Sequence, residues 1–450
     1  MNRSAFIFDL NRCVGCMACV AGCSIENGTL PALNWRVVSG HNLIRHPDLP
    51  LFHFSLACNH CEKAPCMDNC PALAYSRDPV TGAVIHHAEA CIGCKYCTWA
   101  CPYDAPKFNH HAGVVEKCDF CTHRIREYEI PACVEACPVD ALGYETTREY
   151  HDQELVPGFV DRGLRPAIRL IPLKNNRDTL KVLNLDRDDQ IASVVKLVKR
   201  PSSKVRLSQE WSLLVFSLLA ALMSGGMMAH LTTGFPLRLN EFALAGAGGM
   251  LVSLLHLGKK GRAWRSLLNL QKSWLSREIF FFLVFVAAGI MQYFWPHPSL
   301  TFITSLAALA LMGSIDWVYN LLDRKEPIKS HSAMVLMTGI LFYAWFSGLF
   351  LLLLAAATVK IALYVFRKVF YMVKGEPWRP LLSLIRLSAL TVAIVSIFSD
   401  WSLSGWMVFI MILVGELTDR AEFYLEAGVT TPEGALYQQM KNQPLEKKSR

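Results

Sequence analysis

The run Cys91-Ile-Gly-Cys94-Lys-Tyr-Cys97-Thr-Trp-Ala-Cys101-Pro102 decides how the first third of this chain folds. It spaces its cysteines as C-x2-C-x2-C-x3-C and follows the last of them with proline. The same spacing occurs near the start of the chain, with Ser24 in place of the proline. All sixteen cysteines of the 450 residues fall into four runs: Cys13, Cys16, Cys19 and Cys23; Cys58, Cys61, Cys66 and Cys70; Cys91, Cys94, Cys97 and Cys101; Cys118, Cys121, Cys133 and Cys137.

Runs of this kind supply the thiolate ligands of [4Fe–4S] clusters, and the run ending in Cys-Pro is the pattern of bacterial two-cluster ferredoxins. Three closely spaced cysteines can wrap one cube, and the fourth points from the next helical turn towards a second cube. Zinc sites instead usually join two C-x2-C pairs into one tetrahedron. We expect no disulfide framework, because Met1 to Leu10 lacks the basic start and long apolar run of a secretory signal. The sequence therefore predicts four [4Fe–4S] clusters.

The fourth-cysteine rule also suggests which runs share a cluster. Nested pairing would join the first run with the fourth, and the second with the third. The resulting ligand sets are Cys13, Cys16, Cys19 and Cys137; Cys118, Cys121, Cys133 and Cys23; Cys58, Cys61, Cys66 and Cys101; Cys91, Cys94, Cys97 and Cys70. The runs are visible in the sequence, whereas the nesting is an inference. Nearby histidines are expected to be surface residues: His60, His86, His87, His110 and His111.

From about Trp211 the sequence turns into a series of apolar runs, each near the length of about 20 residues that spans a bilayer. Eight spans are predicted: 211–231, 240–258, 278–296, 300–322, 331–350, 351–373, 383–401 and 403–423. The stretch 331–366 is ambiguous, since it can form one long tilted helix or two helices that turn near Gly348. Its length favours two helices.

The distribution of basic residues predicts the orientation of these spans. With eight spans, almost all of the Lys and Arg lie in the loops on one side or, for the last group, between spans six and seven or at their facing ends: Lys196, Lys199, Arg200, Lys204 and Arg206; Lys259, Lys260, Arg262, Arg265, Lys272 and Arg277; Arg324, Lys325 and Lys329; Arg367, Lys368, Lys374, Arg379 and Arg386. The opposite loops hold only Arg238. The positive-inside rule then places the cysteine-rich domain and the C-terminus in the cytoplasm. The net charge of +8 is a membrane-topology signal, and we expect no nucleic-acid partner.

These patterns predict an α+β domain of two-[4Fe-4S]-ferredoxin-like repeats followed by an all-α eight-helix transmembrane bundle. The predicted boundaries are a cluster domain over 1–190, a basic linker over 191–210, a membrane domain over 211–425 and a polar tail over 426–450. The expected location is the inner (cytoplasmic) membrane.

His256 is the strongest candidate for chemistry in the membrane half. It ends the second span beside a basic loop, where a neutral imidazole can hydrogen-bond a quinone carbonyl and transfer a proton. Arg262 and Arg265 could stabilise negative charge on that quinone. Glu278 either stabilises the N-terminus of the third span or belongs to the same quinone site as His256.

Other ionisable residues have structural explanations. Lys360 can snorkel or pair with a neighbour, and Glu416 and Arg420 are spaced for an ion pair within one helix. Asp316 is a further candidate, because ionisable groups within spans are costly. No pair of histidines lies deep on facing spans, so haem b is not predicted.

The first 190 residues or so resemble the four-cluster electron-transfer subunit of dimethyl sulfoxide reductase-type complex iron–sulfur molybdoenzymes. The resemblance rests on the run quoted above and on Lys117-Cys118-Asp-Phe-Cys121 followed by Pro131-Ala-Cys133-Val-Glu-Ala-Cys137-Pro. In that family, tryptophan at the second position of the third run gives a three-iron cluster, whereas Cys94 stands here.

The membrane half is similar to the eight-span anchor subunit of the same complexes. The similar stretches are Leu255-His256-Leu257-Gly258, Arg262-Ala-Trp264-Arg265, Ser276-Arg277-Glu278-Ile279, Val318-Tyr319-Asn320, Gly415-Glu416-Leu417 to Arg420, and Phe423-Tyr424. The two subunits are usually separate chains, and here they are fused.

The resemblance implies a quinone site at His256 with Glu278 nearby, exchange with the membrane quinone pool, and a separate molybdenum or tungsten bis-pterin catalytic subunit. The terminal substrate would not be turned over by this chain. A dimethyl sulfoxide reductase-like complex would oxidise quinol, and a sulfite-oxidising one would reduce quinone; the cytoplasmic orientation slightly favours the second. The alternative is a passive membrane anchor and scaffold with no quinone site.

Overall fold

The computed structural model describes residues 3–41, 51–147, 159, 163–174, 205–321, 331–373, 378–398, 404–429, 431–432 and 434. The chain divides into two compact units, one within residues 1–202 and one within residues 203–429. Most of the predicted linker and polar tail lies outside the described residues. So do several of the basic residues used for the topology: Lys196, Lys199, Arg200, Lys204, Arg324, Lys325, Lys329 and Lys374.

The described part of the first unit is α+β, with short strands and short helices between the cysteine runs. The strands are β1 Arg3–Asp9, β2 Val37–His41, β3 Phe52–Leu56, β4 Tyr75–Arg77, β5 Val84–His86, β6 Lys107–Asn109, β7 Val114–Glu116, β8 Leu142–Thr147 and β9 Ile168–Ile171. The helices are α1 Ala18–Asn27, α2 Pro65–Asp68, α3 Tyr96–Ala100, α4 Thr122–Arg126 and α5 Ala132–Glu135.

Strand β1 is the centre of a three-stranded sheet and carries the core of this unit. It pairs antiparallel with β8 and parallel with β9, with Phe6 opposite both Tyr144 and Ile168. Phe6 and Phe8 are each 1% exposed, as the alternation of strand side chains requires, and they pack among the buried cysteines. Phe6 stacks on Phe120 with ring centroids 4.3 Å apart. The sheet therefore anchors the loop of the fourth cysteine run.

In the described residues of the second unit, all of the long elements are α-helices. They are α6 Leu207–Thr233, α7 Leu239–Leu255, α8 Trp274–Phe294, α9 Pro298–Val318, α10 Val335–Phe346, α11 Phe350–Val373, α12 Pro380–Phe398 and α13 Gly405–Glu426. Five of them, α6, α8, α9, α11 and α12, are long and apolar enough to cross a membrane. A sixth span results if α7 is counted with the 3-10 helix Lys260–Leu267, from which it is bent by 106°. These helices indicate a membrane-embedded region.

The ambiguous stretch 331–366 forms two helices, α10 and α11. They are separated at Gly348, whose φ of 66° lies in the left-handed region that ends helices. The amide of Leu349 donates to the carbonyl of Ala344 at 3.0 Å and closes the end of α10. Helix α10 has 12 residues, which is short for a membrane span.

Three basic residues expected between the sixth and seventh spans, or at the facing ends of those spans, lie within the helices. Arg367 and Lys368 belong to α11 and Arg386 to α12, and they are only 3%, 5% and 1% exposed. Arg367 pairs with Asp419 at 2.9 Å, and Lys368 pairs with Glu422 at 3.0 Å. They therefore lie within the helices towards their facing ends, where carboxylates on α13 neutralise them inside the bundle, and they mark no loop.

The same network shows which groups Lys360 and Glu416 pair with. Both side chains are fully buried, and Lys360 Nζ lies 3.0 Å from Glu416 Oε2. Arg386 donates to the other oxygen of Glu416 at 2.9 Å. Arg420 donates to Ser217 and Thr338 at 2.9 and 3.1 Å. The carboxylate of Glu416 is therefore bound by cations of α11 and α12.

Asp316 has a structural role at the start of α10. Its two carboxylate oxygens accept hydrogen bonds from the amides of Val335 and Leu336 at 2.7 and 3.1 Å. A carboxylate at a helix N-terminus satisfies amides that have no partner within the helix.

Candidate functional site

In each cysteine run, a backbone amide faces the sulfur of the first cysteine. The amides of His60, Gly93 and Phe120 donate at 3.4 Å to the sulfurs of Cys58, Cys91 and Cys118. A backbone hydrogen bond from Gly15 does the same for Cys13. Hydrogen bonds to sulfur favour the thiolate form, so all four loops are built to stabilise negative sulfur.

The first and third runs share a backbone conformation as well as a spacing. Gly15 and Gly93 both have a φ of 72°, and the residues two positions later, Met17 and Lys95, have φ values of 64° and 60°. A side chain at position 15 would also collide, because its Cβ would lie 2.6 Å from a ring nitrogen of His53. Glycine is therefore required at this turn.

The thiol groups that interact electrostatically fall into four sets. Cys13 interacts with Cys19, Cys137 and Cys16; Cys118 with Cys23 and Cys133, and Cys23 with Cys121; Cys61 with Cys58, Cys101 and Cys66; Cys97 with Cys94, Cys70 and Cys91. We call these the first, second, third and fourth sets. Each set joins three cysteines of one run to the last cysteine of another, and the members are those of the nested pairing.

Electrostatic interactions between the sets give them an order. Cys118 of the second set also interacts with Cys58 of the third, and Cys66 of the third interacts with Cys97 of the fourth. The buried guanidinium of Arg36 interacts with Cys19 of the first set and with Cys133 of the second. The four sets therefore form a row in which each one adjoins the next.

The third set has the donor chemistry that an iron–sulfur cluster requires. Its four cysteines line one cavity together with Lys117: Cys58, Cys61, Cys66 and Cys101. Burial raises the pKa of Cys66 well above its usual value, and the thiols of Cys101 and Cys58 raise it further. Burial likewise raises the pKa of Cys121 to about 11. Metals bind the thiolate form, so bound iron would supply the positive charge that these buried sulfurs lack when they lose their protons.

His60 is not the surface residue that its sequence context predicted. It is 1% exposed, and its Nδ1 accepts a hydrogen bond from the amide of Val84 at 3.0 Å. Burial lowers the pKa of His60, and the nearby Lys117 lowers it further. The prediction failed because the turn at Cys58 carries this ring into the core; His110 and His111 are exposed as expected.

In the second unit, His256 is the C-terminal cap of α7, where the chain turns into the 3-10 helix Lys260–Leu267. The imidazole is half-buried, as are Arg262 and Arg265 on that 3-10 helix. The guanidinium of Arg265 lies 5.3 Å from the ring centre of Trp264. The bend therefore gathers an imidazole and two cations within one turn region.

Glu278 lies in the second turn of α8 and is 4% exposed. It interacts electrostatically with Tyr319 and Tyr424, whose hydroxyl groups hydrogen-bond each other. These tyrosines come from the end of α9 and from α13, so three helices meet at this carboxylate. In the sequence, Tyr319 and Tyr424 appeared only within stretches that resemble the anchor subunits, and nothing indicated that they lie near Glu278.

Comparison with known proteins identifies the first unit. A family of 4Fe-4S dicluster domains matches residues 49–146. One component of the anaerobic dimethyl sulfoxide reductase of Escherichia coli is 33% identical over 187 residues, which are 39% of this chain and 91% of that protein.

Two further relatives come from enzymes named for other sulfur compounds. One component of the sulfite dehydrogenase of Allochromatium vinosum is 31% identical over 221 residues, covering 42% of this chain and 91% of that protein. One component of the tetrathionate reductase of Salmonella typhimurium is 39% identical over 139 residues, and the match spans 55% of its length. All three relatives are single subunits of larger redox enzymes.

Proposed function

This protein belongs to the family of iron–sulfur electron-transfer subunits that includes its relative in dimethyl sulfoxide reductase, and we propose that it fuses such a subunit to a quinone-reactive membrane anchor. It carries electrons between the membrane quinone pool and a separate molybdenum or tungsten bis-pterin catalytic subunit. The row of four thiol sets, followed in one chain by apolar helices, carries this proposal.

Each thiol set holds one [4Fe–4S] cluster in this account. The bound clusters supply one-electron transfer. The protein holds their ligands in rigid loops, directs amides at the sulfur of Cys58, Cys91 and Cys118, and excludes water from most of the cysteines. Clusters held by adjoining sets would lie near one another, and electrons could then pass between them along the row.

The quinone site lies at His256 in the membrane unit. The imidazole hydrogen-bonds the quinone carbonyl and exchanges a proton with it. Arg262 and Arg265 hold negative charge that develops on the ring, and the buried Glu278 supplies a second proton-binding group. This assignment extends the likeness of Leu255-His256-Leu257-Gly258 to the anchor subunits.

The proposed topology has eight spans in the inner membrane, with the cluster unit and the C-terminus in the cytoplasm. The basic segment from Lys259 to Arg277 supports this orientation, while the opposite side holds Arg238. The ion-paired residues Arg367, Lys368 and Arg386 no longer contribute to the rule. Both electron directions are compatible with the relatives, since their names include reductases and a dehydrogenase.

Metal analysis of the anaerobically purified chain tests the cluster assignment. Four [4Fe–4S] clusters require about sixteen iron and sixteen sulfide per chain. About eight iron, or stoichiometric zinc, would contradict four clusters. Full iron content combined with no quinone-dependent bleaching of reduced clusters would favour the passive-anchor alternative.

A further inference from the structure

Arg36 is a buried cation that no carboxylate balances among the described residues. Arg36 is the residue immediately before β2, and it is 1% exposed. One nitrogen donates to Ser55 Oγ at 3.0 Å, and the guanidinium lies 4.7 Å from the ring centre of Phe6. Its Nε and Nη2 atoms have no hydrogen-bond partner in the part of the chain that the structure describes. A buried charge is costly unless something pairs with it.

The surroundings of Arg36 identify what pairs with it. Ser55, which accepts its hydrogen bond, also lies 3.5 Å from the sulfur of Cys19 in the first set. The Phe6 ring beside the guanidinium stacks on Phe120, which lies between Cys118 and Cys121 of the second set. The interacting sulfurs come from the first and second sets: Cys133, Cys19, Cys118 and Cys23. The guanidinium therefore faces two adjoining sets at once.

We propose that Arg36 is the shared counter-cation of the first and second sets and raises the reduction potentials of the clusters bound there. The inference rests on the proposed function, because it requires clusters in both sets. Reduction adds one electron, and so one negative charge, to a cluster while no bond forms or breaks. A fixed positive charge nearby stabilises that reduced form, since attraction is strong where water is excluded.

Three substitutions separate charge from packing and hydrogen bonding. Arg36→Lys keeps the charge, Arg36→Gln keeps hydrogen-bonding capacity without charge, and Arg36→Met keeps only volume. The matched control is Arg169→Gln, which removes a cation that is 41% exposed and pairs with Glu145 on the sheet. The measurement is a dithionite titration of the anaerobic full chain, with each cluster followed by electron paramagnetic resonance.

We expect Arg36→Gln and Arg36→Met to lower two of the four midpoint potentials. The expected change is at least tenfold in the reduction equilibrium, which equals about 59 mV for one electron. The other two potentials should move less. Arg36→Lys and Arg169→Gln should leave all four near their original values. Unchanged potentials in Arg36→Gln and Arg36→Met, with full iron content, would overturn the inference.

Loss of assembly is also informative. If Arg36→Gln and Arg36→Met fail to take up iron, the inference requires that Arg36→Lys restores uptake, because a cation is then the missing component. Failure of all three variants, or assembly of Arg36→Met but not Arg36→Lys, overturns it. Low iron content in the unsubstituted chain would instead count against the four-cluster assignment, so the two failures are distinguishable.

Discussion

The environment of each cysteine sulfur is set by the backbone of the loop that contains it. Cys58 and Cys118 each receive an amide hydrogen bond, and their loops contain residues with positive φ, such as His60 and Phe120. The last cysteine of each run leaves its own loop and joins a different set. In the proposed assignment, cysteines that are neighbours in sequence would therefore serve different clusters.

That arrangement predicts the effect of removing single ligands. Cys70 and Cys97 come from different runs but share the fourth set, so Cys70→Ser and Cys97→Ser should alter the same cluster signal. Cys66→Ser should alter a different signal, although Cys66 shares a run with Cys70. Electron paramagnetic resonance of the three reduced variants checks this. Matching changes in Cys66→Ser and Cys70→Ser would contradict the nested sets.

His256 should matter for quinone exchange and not for cluster assembly. General acid–base groups typically contribute at least about 10²-fold, so His256→Ala should slow cluster reduction by quinol by roughly that factor. Stopped-flow absorbance measures the rate. The matched control is His230→Ala. His230 lies in the last turn of α6, and its Nδ1 donates a hydrogen bond to the carbonyl oxygen of Phe235 at 2.7 Å. Equal rates in both variants would assign His256 a structural role.

At the level of single residues, the sequence is most informative where the signal is local. The spacing of Cys91, Cys94 and Cys97 contains the geometry of a cluster loop, because three ligands lie within one turn. Arg36 carried no such signal. Its burial depends on β3 and on cysteines more than 80 residues away in sequence, such as Cys118. A lone arginine before a strand is indistinguishable from a surface residue until those elements meet.

At the level of elements, α11 and α13 are joined by charges on facing sides. Lys360, Tyr364 and Arg367 follow one another at helical spacing along one face of α11. Glu416 and Asp419 occupy the matching face of α13. This periodicity is visible in the sequence, whereas the pairing with carboxylates of α13 depends on how the two helices pack.

Removing one partner of this network should destabilise the bundle. Lys360→Met leaves a buried carboxylate short of a cation and should cost about 3–5 kcal/mol of unfolding free energy. The double variant Lys360→Met/Glu416→Leu should cost less than the sum of the single changes, because no unpaired charge remains between those positions. Denaturant unfolding in detergent measures both. Lys260→Met, at an exposed position, is the control.

Additive costs in that cycle would show that Lys360 and Glu416 do not depend on each other. A cost for Lys360→Met no larger than that of Lys260→Met would mean that water or lipid headgroups reach the pair. Either result would contradict a network sealed inside the bundle.

At the scale of the whole molecule, a single polypeptide contains a cysteine-rich unit and a second unit with long apolar helices. Hydropathy located the eight α-helices described in the second unit within a few residues. It could not distinguish a full span from a short helix such as Val335–Phe346, because apolar character alone does not fix helix length. Hydropathy also said nothing of the bend after Leu255.

The orientation of the whole chain has a direct test. A reporter active only outside the cytoplasm should work when inserted at Gly234, between α6 and α7, and should fail at the C-terminus. The reason is the concentration of basic residues between α7 and α8. An active C-terminal fusion would mean an odd number of spans or an inverted orientation.

The most direct test of the account is electron exchange between quinone and the clusters within this single chain. The protein is purified anaerobically in detergent, its clusters are reduced with dithionite, excess reductant is removed, and a soluble quinone is added. The account predicts rapid reoxidation, seen as recovery of visible absorbance, and its loss in His256→Ala. Full iron content with no response to quinone in the unsubstituted chain would contradict it and leave the membrane unit a passive anchor.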